Sequence, residues 1–226
     1  SDFLTQGPAI LSFEKAFADY IGSEHAIAVS SGTAALHLCA LALNVQKGQK
    51  ILTTPMTFSA SANCIQYCGG EIDFIDIDPN TYLMDLNVLE DRLKSKPNGY
   101  YSGVIAVDFA GLTIDMENLK KIADQYDIWI IEDACHAPGG HFINSKNNMV
   151  KAGNGAYSDC SIFSFHPVKH IAAGEGGMII TNNAELADKV RLLRTHGITN
   201  DPSKVKKKHE GWYYEMQELG YNYRIS

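Results

Sequence analysis

The chain has 226 residues, 45% of them hydrophobic and 20% charged, enough for one sizeable core or one and a half small domains. A net charge of −7 with pI near 5.6 gives no basic footprint for nucleic acid or for an anionic membrane surface. No apolar run approaches membrane-spanning length and no signal peptide is read, so neither a nucleic-acid nor a membrane partner is expected.

An extended lead-in over 1–8 is followed by helical periodicity over 10–21, where Ile10, Phe13, Phe17, Tyr20 and Ile21 share a stripe that Gly22 ends. A short strand over 26–29 feeds Ser30-Ser31-Gly32-Thr33, which opens a helix to about residue 43. Such a turn cradles a phosphate, because the first amides of a helix are unpaired and its dipole favours an anion. The same turn also serves as an ordinary helix cap. A strand over 50–54, a helix over 57–68, a strand over 71–76 and a helix over 86–93 come next. They lead to a strand over 103–109, an amphipathic helix over 115–126 and the strand Trp129-Ile130-Ile131-Glu132-Asp133. A polar turn over 153–158, a strand ending at Ser164, a strand over 178–181 and a helix over 184–194 complete the series. Strands alternating with helices predict right-handed βαβ units and a mostly parallel sheet, without a linker before about residue 197. The polar stretch 199–209, with Lys206-Lys207-Lys208 in it, reads as a solvated loop to which no function is assigned. The cysteines at 39, 64, 68, 135 and 160 lie mostly inside apolar runs and read as reduced core residues of a cytoplasmic protein. Cys64 and Cys68 share a helix face but have no second pair, so no metal site is expected.

Two stretches carry chemistry. In Cys160-Ser161-Ile162-Phe163-Ser164-Phe165-His166-Pro167-Val168-Lys169, a lone lysine follows a buried-strand pattern and precedes the glycine-rich turn Gly174-Glu175-Gly176-Gly177. Partial burial there lowers an amine's pKa and suits a nucleophile, the plain alternative being a surface-loop lysine. Asp133 closes a second apolar strand, where open α/β sheets bind their ligands. A lysine able to form a Schiff base and an aspartate able to pair with a pyridinium nitrogen are what pyridoxal 5'-phosphate requires of its host.

Taken in order, Glu132-Asp133-Ala134-Cys135-His136-Ala137, Ser164-Phe165-His166-Pro167-Val168-Lys169 and Glu175-Gly176-Gly177 resemble the signature of the DegT/DnrJ/EryC1/StrS family of nucleotide-sugar aminotransferases. The resemblance implies an α/β fold of the aspartate-aminotransferase-like type (fold type I), with residues 1–226 as the pyridoxal-phosphate-binding large domain. Family members continue into a small carboxy-terminal domain. Lys169 would hold the cofactor, Asp133 would pair with its ring nitrogen, and His136 would contact the cofactor, orient Asp133 or only shape the loop. Ser31, Gly32, Thr33 and Ser164 would bind the phosphate, with Ser31 equally readable as a helix cap. Phe58 matches the aromatic that stacks on the ring, against the alternative of a core phenylalanine. Gln6 and Thr5 belong to a segment brought near the substrate. Asn222 and Arg224 match a segment that crosses the interface of a homodimer to the partner's cofactor phosphate, and arginine's planar fork is the better physical match.

The activity implied is transamination, with L-glutamate as donor and a nucleotide-linked 4-keto-6-deoxy sugar, most like a UDP-linked one of pseudaminic acid formation, as acceptor. Lys169 argues against the dehydratase branch, which has histidine at that place. A cysteine desulfurase would need a reactive loop thiol, and none of the five looks so placed. A non-catalytic cofactor-binding module, or an aminotransferase for another 4-keto or 3-keto sugar, remains an alternative.

Overall fold

The computed structural model describes residues 6–206 and 212–225. Helix α1 (Pro8–Ile21) starts on a proline, whose fixed φ and missing N–H suit the first helical position, and ends where Gly22 adopts φ 85°. Then come β1 (His25–Val29), α2 (Gly32–Ala42), β2 (Lys50–Thr53), α3 (Ala60–Tyr67), β3 (Glu71–Phe74), α4 (Leu86–Lys94), β4 (Gly103–Val107), α5 (Met116–Tyr126) and β5 (Trp129–Asp133). A hairpin of β6 (His141–Ile143) and β7 (Met149–Lys151) precedes β8 (Cys160–Ser164), β9 (Gly177–Thr181) and α6 (Ala184–Arg194). A small ribbon of β10 (Ile198–Thr199) and β11 (Glu215–Met216) follows.

Seven strands form one sheet in the order β1-β9-β8-β5-β4-β2-β3. The ladders β2·β3, β2·β4, β4·β5 and β5·β8 are parallel, whereas β9 runs antiparallel to both β8 and β1. The mostly parallel sheet expected from the alternation is therefore present, with one reversed strand. Side chains alternate across the strands, so the sheet has a core on each face. Ile27, Ile105, Ile131 and Ile162 pack on one side with Leu36 and Leu38 of α2 and Ile65 of α3. Val104, Ala106 and Ile130 pack on the other side with Leu89 of α4 and Leu119 and Ile122 of α5. Toward the β1 edge, Phe17 and Ile21 of α1 meet Ala28, Phe163 and Met178 on that same second side.

Several boundaries differ from the sequence reading. The helix expected over 57–68 begins at Ala60, because Thr54 to Ser59 form a turn in which Thr54 Oγ1 donates to the Met56 carbonyl. Strand β3 stops at Phe74 rather than 76, and β4 at Val107 rather than 109. The β6–β7 hairpin was not anticipated, although apolar Phe142, Ile143, Met149 and Val150 flanking the polar run 144–148 carry a hairpin signal. Of the lysine run, Lys206 donates its amide to Glu215, while Lys207 and Lys208 lie outside the described residues.

Candidate active site

The carboxyl ends of β4, β5 and β8 and the β1–α2 turn surround a cavity of about 320 Å³. Ser31, Gly32 and Thr33 line it at the start of α2. Ser31 is the N-cap, its Oγ accepting from the Ala34 amide at 3.0 Å. Gly32 and Thr33 are the first helical residues, whose amides have no intrahelical acceptor. Gly32 is required by close approach, since a Cβ there would lie 2.9 Å from Ser164 Cβ and 3.4 Å from Cys135 Sγ. Ser164 reaches the same wall from the end of β8, its Oγ accepting from the His166 amide at 3.3 Å.

Lys169 lines the opposite wall, half-buried, on a turn closed by its own amide donating to the His166 carbonyl at 2.9 Å. That loop is anchored at its base, where the Phe165 amide donates to the Gly176 carbonyl at 2.8 Å. Asp133 is buried, 5% exposed, and both of its oxygens are engaged. Ser61 Oγ donates to Oδ2 at 2.9 Å and the Cys135 amide to Oδ1 at 3.2 Å. His136 Nδ1 accepts from the Ala110 amide at 3.5 Å, which leaves Nε2 as the ring's N–H when the imidazole is neutral. Burial, followed by the neighbouring Lys169 charge, holds the His136 pKa below its ordinary value. Phe58 stands at the rim, 73% exposed, so it is not the core phenylalanine of the alternative reading.

Eight of the residues singled out in the sequence therefore share one cavity: Ser31, Gly32, Thr33, Phe58, Asp133, His136, Ser164 and Lys169. Gln6 is not among its lining residues, and Thr5 lies outside the described ones. Asn222 and Arg224 do not line it either. Their segment is tied to the end of α6, where Asn222 bridges Thr195, and to the β1–α2 turn, where the Ser30 amide donates to the Tyr223 carbonyl at 2.8 Å.

The sequence reading did not single out Asp108, Thr57, Ser61 or Cys135. Asp108 directly follows β4, the strand paired with β5, and sits at the same end of the sheet as Asp133, which was a usable signal. It is fully buried, with Oδ1 accepting from the Ile114 amide at 3.0 Å. Burial, then the nearby Glu132 carboxylate, pushes the Asp108 carboxyl well above the usual range. Glu132 is held by the Gly153 amide at 2.7 Å and Ser161 Oγ at 2.8 Å, and is also raised by burial. Cys135 is a thiol in the cavity wall, where burial and then the Asp133 charge push its pKa far up, which disfavours the thiolate. Among the described residues no cluster of three or more His, Cys, Asp or Glu could hold a metal, and no helix is long and apolar enough to cross a membrane.

The sequence profile of the DegT/DnrJ/EryC1/StrS aminotransferase family matches residues 1–226. The UDP-4-amino-4,6-dideoxy-N-acetyl-beta-L-altrosamine transaminase of Campylobacter jejuni is 43% identical over 225 residues, which is 100% of this chain and 55% of that protein. The structure of Helicobacter pylori PseC, an aminotransferase involved in the biosynthesis of pseudoaminic acid, superposes with a TM-score of 0.83 at 30% identity, covering 100% of this chain and 56% of that one. The Bacillus subtilis protein ntda with bound cofactor PMP gives a TM-score of 0.79 at 30% identity, over 98% of this chain and 46% of that one. The chain thus spans about half the length of the curated relatives it matches.

Proposed function

The chain belongs to the DegT/DnrJ/EryC1/StrS aminotransferase family, and on that premise we propose that its cavity holds pyridoxal 5'-phosphate and that the whole protein transfers an amino group from L-glutamate to a UDP-linked 4-keto-6-deoxy hexose. The observation that carries the reading is the convergence of an amine, a buried carboxylate and a helix N-terminus, from three separate segments, on one cavity of about 320 Å³. The donor set fits the cofactor. A dianionic phosphate suits the amides of Gly32 and Thr33 and the hydroxyls of Thr33 and Ser164, in a cradle that a Cβ at position 32 would fill. Asp133, with each oxygen already accepting one hydrogen bond, retains lone pairs for a protonated ring nitrogen.

When bound, the cofactor supplies an electron sink that no side chain provides. The Lys169 amine would hold the cofactor and, when free, its Nζ would take up and return the proton. Asp133 would keep the ring nitrogen protonated, which would stabilise the charge that develops on the ring. Phe58 would offer its ring to the cofactor from the cavity rim. His136, neutral and with its N–H on Nε2, donates rather than accepts. Gln6 and Thr5 approach the sugar, and Asn222 and Arg224 serve the cofactor phosphate of a partner in a homodimer. The free thiols fit a cytoplasmic enzyme.

The test offers the full-length protein UDP-, GDP- and dTDP-linked 4-keto-6-deoxy sugars with L-glutamate. Amination of the UDP-linked sugar is expected, and turnover of dTDP-linked 3-keto sugars alone would overturn both nucleotide and position. Borohydride reduction and peptide mapping of the same cofactor-loaded protein should place the adduct on Lys169; an adduct on Lys151 or Lys189 would sink the cofactor assignment.

A further inference from the structure

Asp133 is reached by a hydroxyl chain that begins at the cavity wall. Ser61, in the first turn of α3, is fully buried. Its Oγ lies 2.9 Å from Asp133 Oδ2 and 2.8 Å from Thr57 Oγ1. A serine hydroxyl has one hydrogen, and a carboxylate can only accept. Ser61 therefore donates to Asp133, and Thr57, which lines the cavity, donates to Ser61. On the other side the Cys135 amide holds Oδ1 at 3.2 Å. The carboxylate is thus gripped at both oxygens by elements on opposite sides of it, α3 and the β5 loop.

Cys64, Cys135, Asp108 and Glu132 all lie close enough to Asp133 for its charge to raise their pKa values. Hydrogen bonds donated to the charged form favour it and fix the plane in which its remaining lone pairs point. We propose that Ser61, oriented by Thr57, is the positioning residue that aims the Asp133 carboxylate at a protonated ring nitrogen. The proposal rests on the reading of Asp133 above. It assigns Ser61 and Thr57 no contact with the reacting atoms.

The experiment is an equilibrium titration of the full-length protein with pyridoxamine 5'-phosphate and with its 1-deaza analogue, in which a C–H replaces the ring nitrogen. Loss of a hydrogen bond to a charged group should weaken binding of the natural ligand by about tenfold in Ser61→Ala, and binding of the deaza analogue by less than about twofold. Thr57→Val, near the surface and isosteric, should give the same pattern at smaller size, and it decides the matter if Ser61→Ala does not fold. Equal weakening of both ligands would mean that Ser61 only supports the fold, and unchanged binding of both would mean that it is idle. Either result overturns the proposal while leaving Asp133 in its role. Equal affinity of the unsubstituted protein for the two ligands would overturn the reading of Asp133 itself, and the proposal with it.

Discussion

Asp108 and Asp133 end adjacent strands, with the Asp108 amide donating to the Asp133 carbonyl at 3.0 Å, yet their environments part them. Asp133 accepts from a hydroxyl and an amide, whereas Asp108 Oδ2 is buried with no partner as an acceptor. A proton on Asp108 turns that orphan acceptor into a donor toward Glu132, the group whose charge raises it. The consequence for stability has a definite sign. With the folded carboxyl raised, its contribution is fully present below the ordinary carboxylate pKa near 3.9 and is lost as pH climbs toward the folded value, at up to about 1.4 kcal/mol per pH unit. Asp108→Asn keeps an acceptor for the Ile114 amide and an N–H for Glu132 but abolishes the titration. Thermal melts at pH 5 and pH 8 should therefore show a smaller decline for Asp108→Asn than for the unsubstituted chain. Parallel declines would contradict the assignment of the proton. The family motif marked Asp133 in the sequence and left Asp108 unmarked, but not what holds Asp133: that hydroxyl comes from α3, 72 positions before it.

At the scale of elements, periodicity located every helix and every strand of the main sheet, because each buries a continuous stripe or run. It missed the direction of β9, which no side-chain pattern encodes: a fully buried strand reads the same in either direction. It also ran α3 three residues too far toward the amino end, where Pro55 and the Thr54 hydroxyl hold a turn that leaves Thr57 and Phe58 at the cavity. The family resemblance, by contrast, joins Lys169, Asp133 and the Ser31–Thr33 turn, and all of them line one cavity. The reversed strand has a job in that assembly. Its first residue, Gly177, lies against the turn so closely that a Cβ there would be 2.5 Å from the Ser31 carbonyl oxygen and 2.9 Å from the Gly32 nitrogen. These are backbone atoms, so the turn must move to admit a methyl group. Gly177→Ala should weaken pyridoxal 5'-phosphate by about tenfold or more, equivalent to about 1.4 kcal/mol, as read by titration of the visible absorbance. Unaltered affinity would mean that the turn is not the phosphate cradle.

At the scale of the whole molecule, the residues left outside the cavity become informative together. Tyr221, Asn222 and Tyr223 form a strap fixed to the body of the chain: the Tyr221 amide donates to the Leu193 carbonyl at 2.7 Å, Tyr223 Oη pairs with His37 Nδ1 at 3.1 Å, and the two tyrosine rings stack at 5.1 Å. On the proposed reading, in which Asn222 and Arg224 serve the cofactor phosphate of a partner, two-fold symmetry would give each site one subunit's Lys169 and the other's Arg224. Lys169→Ala subunits and Arg224→Ala subunits should each be deficient alone, the first for want of the amine and the second for want of a bidentate phosphate contact. Refolded together in equal amounts, half the dimers are hybrids, and one of the two sites in each hybrid has both residues intact. Such a mixture should recover about a quarter of the wild-type sites, counted by borohydride-fixed cofactor on Lys169. Recovery no greater than the sum of the separate variants would place Arg224 in its own subunit's service or in none, and a chain that binds cofactor tightly as a strict monomer would remove the shared site altogether.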